Sequence, residues 1–380
     1  MSTDFDPPAS TSFSTPERRP RKRLNPTLGK ARNMLRDALR DAGLEPRGTA
    51  QEQPPLLLVA CSGGPDSLAL AEAASFFARR GDYRVGAVVV DHALQPGSAE
   101  VAAAAAAKLR EMGLEPVQVR TVSVPVSGMG PEAAARTVRY AALDAAVEET
   151  GADAVLLGHT LDDQAEQVLL GLARGSGTRS LAGMRPIRGK YLRPLLGLRR
   201  SETEEICDSQ GLDPWLDPSN ADPAFARSRV RAEVLPFLEE KLGPGIAEAL
   251  FRSSRILAGD ADYLDAVSAD TFARLRAQPD SASEPPAPSK DTILLPEAQL
   301  RKLAPAVRQR VLALAAVELG GAQPSWERLR SVEALLRRTG SAGPVELVGK
   351  VSVYRQVRTN PVPQGPSGYG NLVFRKKSST

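Results

Sequence analysis

Leu56-Leu57-Leu58-Val59-Ala60-Cys61-Ser62-Gly63-Gly64-Pro65-Asp66-Ser67 decides how the rest of the chain is read. The apolar run ending at Cys61 has the character of a buried parallel strand, and the apolar stretch from Leu68 continues as a helix. Between them, Gly63 and Gly64 allow a tight turn and a close backbone approach to an anion at the helix N-terminus. Ser62, Gly63, Gly64, Pro65, Asp66 and Ser67 therefore read as a nucleotide-phosphate loop, with backbone N–H groups and two hydroxyls facing a phosphate. No lysine follows the glycines, so this is not the GxxxxGK[ST] loop, and the spacing is not GxGxxG. Asp66 is the unusual member. A carboxylate beside a phosphate cradle repels its ligand unless a divalent cation lies between them, so Asp66 predicts magnesium.

Outward from this loop, apolar runs alternate with helical stretches: Val85 to Val90, a helix over Ser98 to Met112, Val117 to Val122, a helix over Pro131 to Glu149, and Ala154 to Leu157. Short buried strands alternating with helices argue for an α/β fold with a doubly wound parallel sheet. In such a sheet the ligand sits beyond the carboxyl ends of the strands. Asp91 and His92 follow the second strand; His159 follows the fourth, with Asp162, Asp163 and Glu166 on the next helix. Asp163 and Glu166, three residues apart, share one helix face and could hold a metal or a cationic group. Both histidines of the chain follow strands, where a catalytic role competes with a capping or core role.

A chain of 380 residues suggests two domains. Residues 1–28 are rich in Pro, Ser and Thr and read as a disordered tail, 29–242 as the catalytic domain, 243–360 as a smaller, mostly helical domain, and 361–380 as a flexible tail. Within the second part, Ile246 to Leu257 and Val307 to Leu319 have helical periodicity, Pro279 to Ser289 reads as a mobile loop, and Arg301, Arg308, Arg310, Arg328, Arg330, Arg337 and Arg338 suggest a basic surface. A helix is expected over Ser201 to Gln210, and another from Phe225 to a stop at Pro236.

The net charge of +4 is modest, but Arg18 to Arg23, the trio Arg227, Arg229 and Arg231, and Arg375 to Lys377 are clustered. Such clusters suit a polyanion or a merely solvated face. Cys61 and Cys207 are far apart and offer no CxxC pair, so two free thiols are expected. No apolar run approaches the ~18 residues of a membrane span, and the N-terminus lacks an apolar signal core; a cytoplasmic protein with no membrane partner is expected.

Five further motifs accompany the loop: Val90-Asp91-His92, Ala135-Arg136-Thr137-Val138-Arg139-Tyr140, Gly158-His159-Thr160-Leu161-Asp162-Asp163-Gln164-Ala165-Glu166, Arg193-Pro194-Leu195-Leu196 and Asp217-Pro218-Ser219-Asn220. In this order, over about residues 30–240, the sequence resembles the tRNA(Ile)-lysidine synthetases of the PP-loop ATP pyrophosphatase group. The resemblance implies a PP-loop ATPase fold, similar to adenine nucleotide alpha hydrolases, followed by a helical tRNA-binding domain. It implies a ligase that uses ATP and Mg2+ to adenylate carbon 2 of the wobble cytidine in tRNA(Ile) with a CAU anticodon, after which L-lysine displaces AMP to give lysidine.

Carried onto this chain, the resemblance gives Ser62, Gly63, Gly64, Pro65, Asp66 and Ser67 to the ATP phosphates, and Asp66 also to the metal. Asp91 and His92 would border the nucleotide. Arg136 and Arg139, on one helix, become candidates for contacts to phosphate or the activated base, against surface salt bridging. Asp163 and Glu166 become the receptor for the lysine amine, and His159 or a carboxylate the proton acceptor. A homodimer is compatible with the resemblance. The chain departs from the family pattern at Gln95, where Arg is usual, at Gln167, where Thr is usual, and at Ser228, where Asn is usual. A sulfur-transferring tRNA thiolase would need clustered cysteines, which this chain lacks. A noncatalytic ATP-dependent RNA-binding module would not favour Asp162, Asp163 and Glu166 beside its nucleotide.

Overall fold

The computed structural model describes residues 25–46, 53–125, 130–175, 177–217, 222, 224–277, 290–337, 343–356 and 370–377. The chain divides into two compact units, one formed by Met1–Glu166 and Met184–Ala247, the other by Gln167–Gly183 and Glu248–Thr380. The second unit thus begins five residues beyond the expected boundary and also takes in a short earlier segment.

In the first unit the elements run α1 (Pro26–Asp41), β1 (Leu56–Cys61), α2 (Pro65–Arg80), β2 (Arg84–Asp91), α3 (Ser98–Glu111), β3 (Val117–Thr121), α4 (Pro131–Thr150) and β4 (Ala154–Leu157). They continue through α5 (Leu161–Ala173), α6 (Thr178–Leu181), β5 (Ile187–Arg188), β6 (Tyr191–Leu192), α7 (Arg200–Gln210), α8 (Ala226–Arg229) and α9 (Leu235–Leu242), of which α6 and the end of α5 belong to the second unit. The sheet order is β3-β2-β1-β4-β6-β5; all neighbours are parallel except the edge pair β5–β6. Every residue of β1 and β4 is buried, as expected of strands covered on both faces. Consecutive strands β1, β2 and β3 step one way and β4 pairs on the other side of β1, so strand order reverses at β1. The crevice beyond the carboxyl end of β1 is where such sheets take ligands.

Helix α1 extends into the segment expected to be a tail. Asn25 caps it, its side chain accepting the Leu28 N–H at 3.0 Å, and Leu28, Ala31, Leu35 and Leu39 form a fully buried stripe against the sheet core. The i, i+3, i+4 spacing of those residues was the readable signal. Residues 1–24 lie outside the described residues, as does the basic cluster Arg18 to Arg23.

Pro236 does not end a helix. The chain stays helical from Ala226 through Leu242, and a π-helical turn over Val230–Val234 precedes the proline, with the Leu235 N–H bonded to the Val230 carbonyl. Proline lacks an N–H and its ring crowds the preceding turn; the wider π turn accommodates both, and Pro236 then occupies the first turn of α9.

The second unit continues with α10 (Ile246–Ala277), whose first two residues lie in the first unit, then β7 (Thr292–Pro296), α11 (Glu297–Lys302), α12 (Pro305–Glu318), α13 (Trp326–Arg337), β8 (Val345–Leu347), β9 (Val351–Arg355) and β10 (Asn371–Lys376). Its helices pack with a four-stranded antiparallel sheet, β7-β10-β9-β8. The segment is therefore not helical alone, and the tail expected over 361–380 contributes the inner strand β10. Leu372, Val373 and Phe374 are buried between β7 and β9, apolar content that a solvated tail would not carry. The expected basic surface is partly neutralised: Arg308 pairs with Glu333 at 2.8 Å and Arg310 with Asp265 at 3.0 Å. The loop expected over Pro279 to Ser289 lies outside the described residues, as does Arg338. Among the described residues, no helix is long and apolar enough to cross a membrane. Both cysteines are free and buried.

Candidate active site

The phosphate loop lies where the sheet reverses, between β1 and α2. Gly63 has φ +83°, a left-handed turn that any side chain would strain, and Pro65 opens α2 at its first turn. Ser67 organises the loop from within. Its hydroxyl donates to the Gly64 carbonyl at 2.9 Å and accepts the Ser62 N–H at 3.2 Å, while the Gly63 N–H rests on Cys61 Sγ at 3.4 Å. Burial pushes the Cys61 thiol above its ordinary range, so it acts as a neutral acceptor here. Gly158, at the end of β4, closes the loop from the far side: a Cβ there would stand 2.9 Å from the Asp66 carbonyl oxygen and 3.1 Å from Ser67 Cα. Only glycine lets β4 approach the loop this closely.

Asp66 turns from the loop toward α7. Its carboxylate accepts a short hydrogen bond from the Thr203 hydroxyl and a 3.4 Å contact from Arg200 Nε. Burial is the larger influence, opposed by Arg200 and Thr203, and the Asp66 carboxyl is pushed up to about 6.

Arg200 links this carboxylate to the pair on α5. Its Nη2 lies 3.2 Å from Asp163 Oδ1 and its Nη1 3.6 Å from Glu166 Oε1. Arg227 and Arg231, four residues apart across α8 and the π turn, face the same pair. Arg227 donates to Glu166 at 2.7 Å and to Asp163 at 3.1 Å; Arg231 donates to Glu166 at 2.7 Å and to Asp163 at 3.4 Å. Asp163 also accepts the Thr160 N–H at 2.8 Å. Burial would raise the Asp163 pKa, but Arg227, Arg200 and His159 outweigh it and hold it at about 2. Three carboxylates and three guanidiniums thus form one nearly buried, charge-balanced network. Asp162, in contrast, serves structure: it accepts the Arg200 N–H at 2.7 Å and pairs with Arg199 at 3.0 Å.

His159 is held neutral, its pKa lowered to about 3 by burial first and by Arg139, Arg193 and Arg227 besides, against Asp163. Its Nδ1 is buried without a protein partner, and so is Nδ1 of His92, whose pKa is also lowered by burial and by Arg139. Asp91 is buried and accepts the Ala93 N–H at 2.9 Å, stabilising a positive φ of 51° at Ala93. The two arginines of α4 differ. Arg136 is exposed and lies over the Tyr140 ring at 5.0 Å, whereas Arg139 is half-buried and has no salt bridge among the described residues. Arg193 is buried, bonded to the Arg185 carbonyl at 2.9 Å and to the Tyr140 hydroxyl at 3.2 Å.

Beside the loop opens a cavity of about 760 Å³, its walls including Ser62, Asp91, His92, Trp215, Phe225 and Arg227. Apolar residues such as Val89, Leu94 and Phe225 line it together with Arg227, Arg231, Asp91 and Asp217. Of the residues singled out in the sequence, Ser62, Asp91 and His92 line this cavity, Asp163 and Glu166 reach it through Arg227 and Arg231, and Arg136 is exposed beside Tyr140; Pro218, Ser219 and Asn220 lie outside the described residues. The sequence did not point to Arg200 or Thr203, and it marked Arg227 and Arg231 as part of a cluster suited to a polyanion or a solvated face, not as partners of the carboxylates. The four-residue spacing of Arg227 and Arg231, about one helical turn like the three-residue spacing of Asp163 and Glu166, was the available signal.

A single carboxylate at the mouth of a phosphate loop is the donor set of a magnesium ion that arrives with a triphosphate and keeps water and phosphate oxygens as its other ligands. Asp66 is the carboxylate of this loop, and it would take such an ion in exchange for its present partners Thr203 and Arg200. Among the described residues, no three His, Cys, Asp or Glu side chains converge on a metal position.

A PP-loop domain family matches residues 33–238. The chain is 50% identical over 301 residues to the tRNA(Ile)-lysidine synthase of Leifsonia xyli subsp. xyli, covering 79% of this chain and 87% of that protein. It is 48% identical over 307 residues to the tRNA(Ile)-lysidine synthase of Streptomyces coelicolor, covering 80% and 83%. Against the enzyme of the same name from Thermobifida fusca the identity is 55% over 241 residues, covering 63% and 71%. With its phosphate loop and carboxylate–guanidinium network built on an ATP-using PP-loop domain, the chain belongs to the tRNA(Ile)-lysidine synthase family.

Proposed function

We propose that this protein joins L-lysine to carbon 2 of the wobble cytidine of tRNA(Ile) bearing a CAU anticodon, at the expense of ATP, through an adenylated tRNA intermediate. The observation that carries this reading is the connection of two differently poised regions in one crevice: a phosphate loop with Asp66, and a buried carboxylate pair, Asp163 and Glu166, joined to it through Arg200.

In the first half-reaction the O2 atom of cytosine attacks the α-phosphorus of ATP, the α–β bridging P–O bond breaks, and pyrophosphate leaves. Ser62, Gly63, Gly64, Pro65, Asp66 and Ser67 hold the phosphates; the half-buried Arg139, without a salt bridge among the described residues, is suited to the charge developing on the transferred phosphoryl group, and the exposed Arg136 one turn before it to the RNA. Asp66 would hold Mg2+, which supplies neutralisation of the triphosphate charge when bound. Asp91 and His92 border the nucleotide.

In the second half-reaction the lysine ε-nitrogen, freed of one proton, attacks C2. The C2–O bond breaks, and AMP leaves with that oxygen. Asp163 and Glu166 receive the amine, exchanging guanidinium partners for an ammonium. The proton goes to His159, whose Nδ1 is buried without a protein partner, or to one of the two carboxylates once it has exchanged its arginine. The C-terminal unit would contact the tRNA backbone. It presents a cavity of about 630 Å³ lined by Arg355, Arg375, Lys376 and Lys377, a cationic surface of the kind phosphates require.

The test is incubation with ATP, magnesium, lysine and an unmodified CAU-bearing tRNA(Ile) transcript, followed by mass analysis of the wobble nucleoside. An ATP-dependent gain equal to lysine minus water is expected. An unchanged cytidine, with the protein folded and ATP bound, would overturn the reading.

A further inference from the structure

One wall of the nucleotide cavity comes from a segment that no part of the proposed reaction uses. Residues 212–217 follow α7 without regular structure and are tied down at four points. The Leu212 N–H bonds to the Cys207 carbonyl at 2.9 Å, Lys108 of α3 donates to the Asp213 carbonyl and pairs with its carboxylate at 3.7 Å, and Gln95 reaches Asp217 at 3.4 Å. The fourth tie goes to the phosphate loop itself: the Trp215 N–H donates to the Gly63 carbonyl at 2.9 Å. Trp215 Cβ would lie 3.9 Å from a Cβ on Gly63, and the Trp215 carbonyl 3.8 Å from one on Gly64. The strap therefore rests on the two glycines.

The Trp215 side chain is left with no anchoring role, because its backbone makes the tie. It is half-buried and borders the cavity with Val89, Leu94 and Phe225, while its neighbour Leu216 is 73% exposed. A tryptophan that only filled a core would be enclosed on all sides. A half-buried tryptophan that lines a cavity beside a phosphate loop is a platform for a flat π-system.

We propose that Trp215 is a base-stacking residue of this cavity, and that its amide tie to Gly63 holds the phosphate loop in register with the stacked base. The inference rests on the reading of the loop as the ATP site. The ligand chemistry is a nucleobase, which can come from ATP or from the RNA substrate. Gly63 takes a left-handed turn, and the hydrogen bond to its carbonyl fixes the peptide orientation on which the loop depends. The same segment thus serves base and phosphate.

The chain has two tryptophans, Trp215 and Trp326, and Trp326 belongs to the second unit, so Trp326→Phe leaves Trp215 as the sole indole reporter. The probes are a nonhydrolysable ATP analogue with magnesium and, separately, an anticodon stem-loop RNA bearing CAU. Trp215 fluorescence should fall on addition of the analogue if the base is adenine, or only on addition of the RNA if it is the cytosine. Trp215→Ala should then weaken binding of that same probe about tenfold, as loss of one stacking contact does, with Trp215→Phe restoring most of it and the lysine requirement unchanged. Silent fluorescence with both probes, or wild-type affinity for both in Trp215→Ala, overturns the proposal. Equilibrium dialysis of the analogue with unmodified protein separates the two levels: no binding there defeats the ATP reading itself, whereas binding with a silent Trp215 defeats this inference alone.

Discussion

Asp66 and Asp163 are both nearly buried aspartates in one network, yet their environments drive them in opposite directions. Asp66 has one guanidinium and one hydroxyl against the burial of its charge, and its carboxyl titrates at about 6. Asp163 has three guanidiniums and a backbone N–H, and it is held at about 2. Partner number decides the sign. A carboxylate short of positive charge is poised to take a cation that arrives with the substrate; one saturated by arginines organises the site before anything binds.

Removing the saturated member should have the largest effect. Asp163→Asn leaves Arg200, Arg227 and Arg231 sharing Glu166 and should cost about 3 kcal/mol, read by urea or thermal unfolding. Because the folded-state pKa is depressed, this stabilisation is complete above the unfolded value near ~4 and is lost as pH falls through about 2. The wild-type and variant stability curves should converge in acid.

Asp66→Asn should reverse that pattern. Loss of the carboxylate should lower pyrophosphate release at least about a hundredfold. The folded-state pKa of Asp66 is raised, so its contribution to stability is present below the unfolded value near ~4 and lost as pH rises through about 6. At pH 8 the variant should be no less stable than the wild type. Adenylation by the wild type should decline as pH drops through about 6, measured as pyrophosphate release at limiting magnesium. A destabilised Asp66→Asn at pH 8 would break the contrast.

Gly158→Ala should act on the Asp66 side alone. The new Cβ meets backbone, not a movable side chain, so it should cost roughly 1–3 kcal/mol and raise the ATP requirement before the lysine requirement. The smallest effect is expected farthest from the contrast: Arg375→Glu should raise the tRNA requirement severalfold and increase its salt sensitivity, leaving ATP binding unchanged.

The first unit was legible because its signals are local. Continuous apolar runs marked β1, β2 and β4, and polar residues after each run marked the crevice. The edge strand β5 and its neighbour β6, two residues each, are too short for any period to register. The second unit's sheet was hidden for another reason: β7 and β10 pair across about eighty residues, and Leu372-Val373-Phe374 is a short apolar run amid polar, Gly- and Pro-rich sequence. Within the site, the residue types were readable but their partners were not. Arg200 meets Asp66 across 134 positions and Arg227 meets Glu166 across 61, and pairing at that range follows from packing α7 and α8 onto the sheet, which no motif states.

The two regions should also separate the two half-reactions, and Glu166→Gln tests this most directly. With CAU-bearing tRNA(Ile) and ATP, pyrophosphate release and lysidine formation are followed in the same reaction across a range of lysine concentrations. A lysine requirement raised about tenfold or more is expected, with the ATP requirement nearly unchanged and adenylated tRNA accumulating. Equal increases in both requirements, or an unchanged lysine requirement, would contradict the assignment of Asp163 and Glu166 to the amine.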